Sequence, residues 1–258
     1  MAVVTVSFQS RELMRSVQHK AIIPTSTKSL YDPDDAPEVE MKDLRTLYLL
    51  HGWDGSHEDW INNTRIIELA TKYGIAVIMP SGENSFYVDH PNGNNYGKFI
   101  GEELIDETRK LFPLSKKRDD TWIAGLSMGG YGALRNGIYY SDKYSKIAAF
   151  SSRIRTSQDK EDLSKVNPIT QRTKAIIKGD SYKALPEDMD IKKLVNASDH
   201  LPELYIVCGT EDFLINENRK FHKWLDSKQI EHHYEEESGK HDWDYWNIYI
   251  ERALEWLT

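Results

Sequence analysis

The stretch "TWIAGLSMGGYGALRNGI", residues 121–138, passes from an apolar run through small residues into a helical pattern. Two readings compete for it: a turn that presents Ser127 for chemistry, or a glycine-rich strand-to-helix link with an incidental serine. Gly125-Leu126-Ser127-Met128-Gly129 fits G-x-S-x-G, and the strand before it with the helix after it is the context a nucleophile elbow needs. Such a turn strains the serine backbone, and it needs small flanking residues because side chains at 125 or 129 would strike neighbouring backbone. It holds the hydroxyl clear of the sheet and sets the Met128 N–H at a helix N-terminus, where an anion is stabilised.

Outward from this stretch, short apolar runs alternate with longer amphipathic ones. Strands are expected at 3–8, 20–24, 45–50, 75–79, 121–124, 146–150 and 203–208. Helices are expected near 58–72, 98–111, 128–140, 214–227 and 243–257; in the last, Trp243, Trp246, Ile250, Leu254 and Leu257 mark one buried face. Strand then helix, repeated, implies an α/β fold with a mostly parallel sheet covered by helices. The first two strands have only "QSRELMRSVQH" between them, which suggests an antiparallel hairpin at one end of the sheet. Residues 31–43 read as an acidic exposed loop. Residues 153–201 form a polar, irregular excursion that could overhang a site. Without repeats or a low-complexity linker, residues 1–258 are expected to form one domain.

Composition narrows the function. A net charge of −8 without a basic cluster argues against a nucleic-acid surface. No run approaches the roughly 20 apolar residues of a spanning helix, and the N-terminus lacks a secretory pattern. Cys208 is the single cysteine, so no intrachain disulfide forms; together these points favour a cytoplasmic setting.

A serine hydroxyl needs a base, and the base needs an orienting acid. After an elbow of this kind the chain order is serine, acid, histidine. "ELYIVCGTEDFL" ends an apolar run and offers Glu211 and Asp212 in the following loop, with Asp212 preferred; "EESGKHDWDYW" supplies His241 ahead of the last helix. Asp242 reads as that helix's N-cap. A second amide for a developing oxyanion is expected from "LYLLHGWDGS", where Trp53 pairs with Met128 and His51 anchors the loop. Trp53, Tyr131 and Trp243 are candidate pocket residues, although core packing would place such aromatics equally well. His232 and His233 are consecutive in a strand-like run, so they face opposite ways and cannot share a metal. No H-E-x-x-H or Cys/His cluster exists, so no catalytic metal and no cofactor are expected.

"LYLLHGWDGS", "GKFIGEEL", "AGLSMGGYGAL", "CGTEDFL" and "KHDWDYW", spread over residues 46–246, resemble the esterase D-like branch of the α/β-hydrolases, and the tributyrin (short-chain carboxyl) esterases within it. The resemblance implies an α/β-hydrolase fold with about eight strands, helices on both faces and an N-terminal hairpin. It implies a Ser127–His241–Asp212 triad, favouring Asp212 over Glu211 because the acid directly precedes "FL", with Trp53 and Met128 amides as oxyanion donors. The expected substrate is a small ester with a short acyl chain. Acetylxylan, feruloyl and S-formylglutathione hydrolysis are the rival activities, and a non-catalytic binding protein on the same fold is the rival outside enzymes. Leu126 stands where S-formylglutathione hydrolases more often carry histidine. No nucleic-acid or membrane partner is expected, and assembly into a homo-oligomer is left open.

Overall fold

The computed structural model describes residues 1–25, 41–158, 167–177 and 185–258. The acidic segment expected at 31–43 lies outside these up to position 40, as do 159–166 and 178–184 of the long excursion. One eight-stranded sheet organises the chain: β1 (Ala2–Ser10), β2 (Arg15–Ile23), β3 (Thr46–Leu50), β4 (Ala76–Pro80), β5 (Thr121–Leu126), β6 (Lys146–Phe150), β7 (Glu203–Gly209) and β8 (His233–Glu237). Their spatial order is β1-β2-β4-β3-β5-β6-β7-β8. The β1–β2 and β2–β4 pairs are antiparallel, and the remaining pairs are parallel.

Strand alternation divides the core in two. Tyr48, Leu50, Ile123, Ile147 and Ile206 point to one face. It is covered by α3 (Tyr96–Lys98), α4 (Leu104–Leu111), α5 (Met128–Tyr139), α7 (Ile191–Ala197) and α8 (Ile215–Ser227). Leu47, Leu49, Trp122, Ala148 and Val207 point to the other face. There α1 (Asp59–Asn63), α2 (Ile66–Tyr73) and α9 (Trp243–Leu257) close over them. Fully covered parallel strands have no polar face, which is why β3, β4 and β5 read as continuous apolar runs. Cys208 of β7 is buried in this layer, and burial raises its thiol pKa well above the ordinary value.

The structure differs from the sequence expectations at three edges. β1 and β2 extend to Ser10 and Arg15, so the connection shrinks to residues 11–14, with Met14 at φ 52°. The outward side chains of an edge hairpin can be polar, so the "QS" and "RSVQH" segments do not end the strands. The helix expected at 58–72 divides at Thr64, whose backbone is extended. Asn63 and Thr64 side chains bond the Asp59 and Trp60 carbonyls, satisfying acceptors that a continuing helix would use. β8, "HYEEE", carries almost no apolar signal; Arg252 binds Glu235 and Glu237 from α9, and Arg219 binds Glu236 from α8.

The hairpin also buries a titratable group. His19 of β2 is fully buried, and neither ring nitrogen has a hydrogen-bond partner among the described residues. Burial, helped by nearby His57, lowers its pKa to about 4 from an ordinary 6.5. Above pH 6.5 both folded and unfolded states hold it neutral, so its contribution is complete. Between pH 6.5 and 4 the unfolded chain gains a proton that the folded chain refuses. Stability is therefore expected to fall on acidification across that window, by up to about 3 kcal/mol from this group. Urea denaturation against pH checks it: His19→Leu should flatten that slope, and an unchanged slope would exclude His19 as its source.

Candidate active site

β5 ends beside β3 and β6, and the chain turns at once into α5. Ser127 occupies the turn at φ 55° and ψ −114°, a conformation costing on the order of 1–3 kcal/mol for a residue with a side chain. Its N–H donates to the Phe150 carbonyl at 2.8 Å, and its own carbonyl accepts from Tyr131 and Arg153 amides at 3.1 and 3.2 Å. A side chain at Gly125 would run into the Gly129 backbone, and one at Gly129 would lie 2.5–2.6 Å from the His51 and Leu50 carbonyl oxygens. The small residues therefore let helix α5 start directly against the ends of β3 and β5.

The loop after β7 carries Asp212, whose side chain is fully buried. One carboxylate oxygen accepts from the Leu214 amide at 2.7 Å, and the other lies 2.7 Å from His241 Nδ1. Burial pushes the carboxyl pKa up, but bonds from His241, the Leu214 amide and the Ser151 hydroxyl outweigh it and leave the group below the ordinary value. His241 Nε2 stands 3.0 Å from Ser127 Oγ. The imidazole is wedged between Phe213, at 4.4 Å, and an edge-to-face Trp246, at 4.9 Å. Glu211 turns away: its carboxylate takes the Gly239 amide and the Thr210 hydroxyl, holding the turn that precedes His241. Asp242 accepts the Tyr245 amide and caps α9.

Ser151 supports this arrangement and is not marked by any motif in the sequence. It follows β6 at φ 46°, fully buried, and its amide is fixed to the Val207 carbonyl at 2.7 Å. Its hydroxyl oxygen accepts Trp246 Nε1–H at 3.1 Å while bonding the Asp212 carboxylate. One strained residue thus ties the end of β6 to the acid-bearing loop and to α9.

The loop after β3 reaches the same point. An added side chain at Gly52 would lie 2.6 Å from Leu126 and 3.7 Å from Ser127 Cβ, so the backbone approaches the serine closely. His51 is buried, donates from Nδ1 to the Gly52 carbonyl at 2.7 Å and accepts the Gly82 amide on Nε2 at 2.8 Å. Both ring nitrogens are spent on the loop, and burial lowers its proton affinity.

Ser127, Met128, Gly52 and His241 open into a cavity of about 670 Å³. Trp53, Phe86, Ile169, Phe213, Trp243 and Trp246 supply its apolar wall. Ile169 belongs to α6 (Pro168–Ile177) of the 153–201 excursion. Trp53 and Trp243 line this cavity, whereas Tyr131 does not. Tyr131 is buried behind Phe86, edge-on at 6.0 Å, and its hydroxyl donates to the Met189 carbonyl at 2.8 Å. One turn of helix past Ser127 points inward, because α5 is packed on nearly every side.

Among the described residues, one group of histidines and carboxylates is close enough to share a metal: His222, Asp226 and His232. None of the three lines the cavity. The sequence compared His232 with its neighbour His233, and so missed His222 on another element.

A strained serine at a strand-to-helix elbow, within an eight-stranded mostly parallel sheet, defines the α/β-hydrolase class. Residues 26–257 match the Esterase family, described as "Putative esterase", and the chain belongs to that family. It is 39% identical over 266 aligned positions to an acetyl esterase of Caldicellulosiruptor saccharolyticus, covering 100% of this chain and 98% of the relative. Two Staphylococcus aureus structures are also similar. The fluorophosphonate-binding serine hydrolase FphF has a TM-score of 0.85 and 31% identity, covering 99% of this chain and 98% of that one. The S-formylglutathione hydrolase FrmB has a TM-score of 0.84, with the same identity and coverage. The chain is a serine hydrolase of carboxylic esters.

Proposed function

We propose that the protein hydrolyses short-chain acyl esters of small alcohols by acyl transfer through Ser127. The observation that carries this reading is the continuous hydrogen-bonded line Ser127 Oγ–His241–Asp212, at 3.0 and 2.7 Å. His241 removes the serine proton as Oγ attacks the ester carbonyl carbon. Asp212 holds the Nδ1–H tautomer and stabilises the imidazolium that forms. Amides of Trp53 and Met128 receive the developing oxyanion, a contribution of about 3–4 kcal/mol for each donor. The alcohol leaves with the proton from His241, and water repeats the sequence to release the acid.

The acetyl esterase relative supports a small acyl group, and the aromatic wall suits an apolar alcohol or acyl portion. The second reading is thioester cleavage, favoured by the likeness to an S-formylglutathione hydrolase structure at 31% identity. A kinetic panel decides between them, using p-nitrophenyl acetate, butyrate and octanoate beside S-formylglutathione, acetylated xylo-oligosaccharide and methyl ferulate. The highest kcat/KM is expected on the acetate or butyrate ester; preference for another member replaces this reading. The single sheet supports treating 1–258 as one unit, and Ile169 of α6 in the cavity wall supports an excursion, 153–201, that overhangs the site. Among the described residues no helix is long and apolar enough to cross a membrane. The lone cysteine supports a reducing, cytoplasmic setting.

A further inference from the structure

His222 sits on α8, Asp226 one turn later, and His232 just ahead of β8. We infer that these three side chains form a zinc-class metal site that fastens the end of α8 to the start of β8, outside the catalytic cavity. One nitrogen from each histidine and one carboxylate oxygen lie within 4.8 Å of one another.

The three side chains already turn their ligand atoms towards one another. His232 Nδ1 lies 2.8 Å from the Ile230 carbonyl and must donate to it, which leaves Nε2 as a bare lone pair. That lone pair faces His222 Nδ1 at 2.7 Å. The other nitrogen of His222 faces the Asp226 carboxylate at 3.4 Å. Two imidazoles and a carboxylate converging on one point are a donor set suited to zinc.

The surroundings fit that role. The carbonyl bond on His232 is the supporting contact that orients metal-ligating histidines, and its side chain is only 3% exposed. His222 is stacked on Tyr234 at 4.1 Å with the rings 5° from parallel, which fixes its plane. Asp226, 58% exposed, leaves the outer side open for entry and for water to complete a tetrahedral shell. Metal–nitrogen bonds of about 2.0–2.1 Å require the two imidazole nitrogens to part only slightly. α8 follows the Asp212 loop and β8 precedes the His241 loop, so the staple would join two elements beside the site without touching substrate.

Zinc chloride titrated into the EDTA-stripped 258-residue chain at pH 7.5, followed by calorimetry and thermal melting, tests the site. A single saturable site and a zinc-dependent rise in melting temperature are expected. His222→Ala and Asp226→Ala should each weaken binding at least about tenfold. His241→Ala should bind zinc as the unaltered chain does, which separates this site from the catalytic histidine and from any failure of the esterase reading. Absence of saturable binding, equal affinity in His222→Ala, or loss of binding in His241→Ala would each overturn the inference.

Discussion

Ser127→Ala is expected to lower kcat for p-nitrophenyl acetate by about 10⁶-fold while leaving the melting temperature nearly unchanged. Without Oγ no acyl-enzyme forms, and only the amide donors and binding contacts remain, worth roughly 10³–10⁴ over water. The fold tolerates the change because the elbow is fixed by backbone bonds to Phe150, Tyr131 and Arg153 and by the neighbouring glycines, none of which involve the hydroxyl. Alanine carries the same Cβ at φ 55°, so the turn keeps its strain. Steady-state kinetics beside a circular-dichroism melt make the measurement. Turnover within tenfold of the unaltered chain would remove Ser127 from the mechanism.

Asp212→Asn is expected to cost about 10⁴ in kcat through the tautomer of His241. The Leu214 amide donates to one Asp212 oxygen, so an asparagine carbonyl settles there and its NH₂ turns towards His241 Nδ1. Nδ1 must then accept, the ring proton moves to Nε2, and Nε2 can no longer receive the Ser127 proton. Glu211→Gln is the paired control. Its carboxylate holds the Gly239 turn and does not contact the imidazole, so kcat should change little. A large loss in Glu211→Gln with a small one in Asp212→Asn would reverse the two acids.

Both variants test residues legible in sequence, and there is a physical reason for that. Each follows the end of a continuous apolar run, and the elbow adds glycines whose missing side chains are required by backbone contact. β8 was harder to read as a strand because its stability comes from ion pairs to α8 and α9, which a hydropathy pattern does not record. Tyr131 was misplaced because nearness in sequence says nothing about which side of a buried helix faces the cavity. Ser151 left no trace, since its value lies in a positive φ and in partners that fold in from α9 and the loop after β7. The pairing of His222 with His232 is equally invisible, because it forms only when a helix and the start of a strand come together.

Cys208 has a practical consequence. It is the only thiol in the chain, sits in an interior strand of the sheet, and keeps its proton at neutral pH. Alkylating reagents require a thiolate in contact with solvent, so labelling should wait for the β6–β7–β8 edge to open. Its modification rate, with or without zinc and with or without an inhibitor on the serine, would therefore act as a clock for how often that edge of the sheet comes apart.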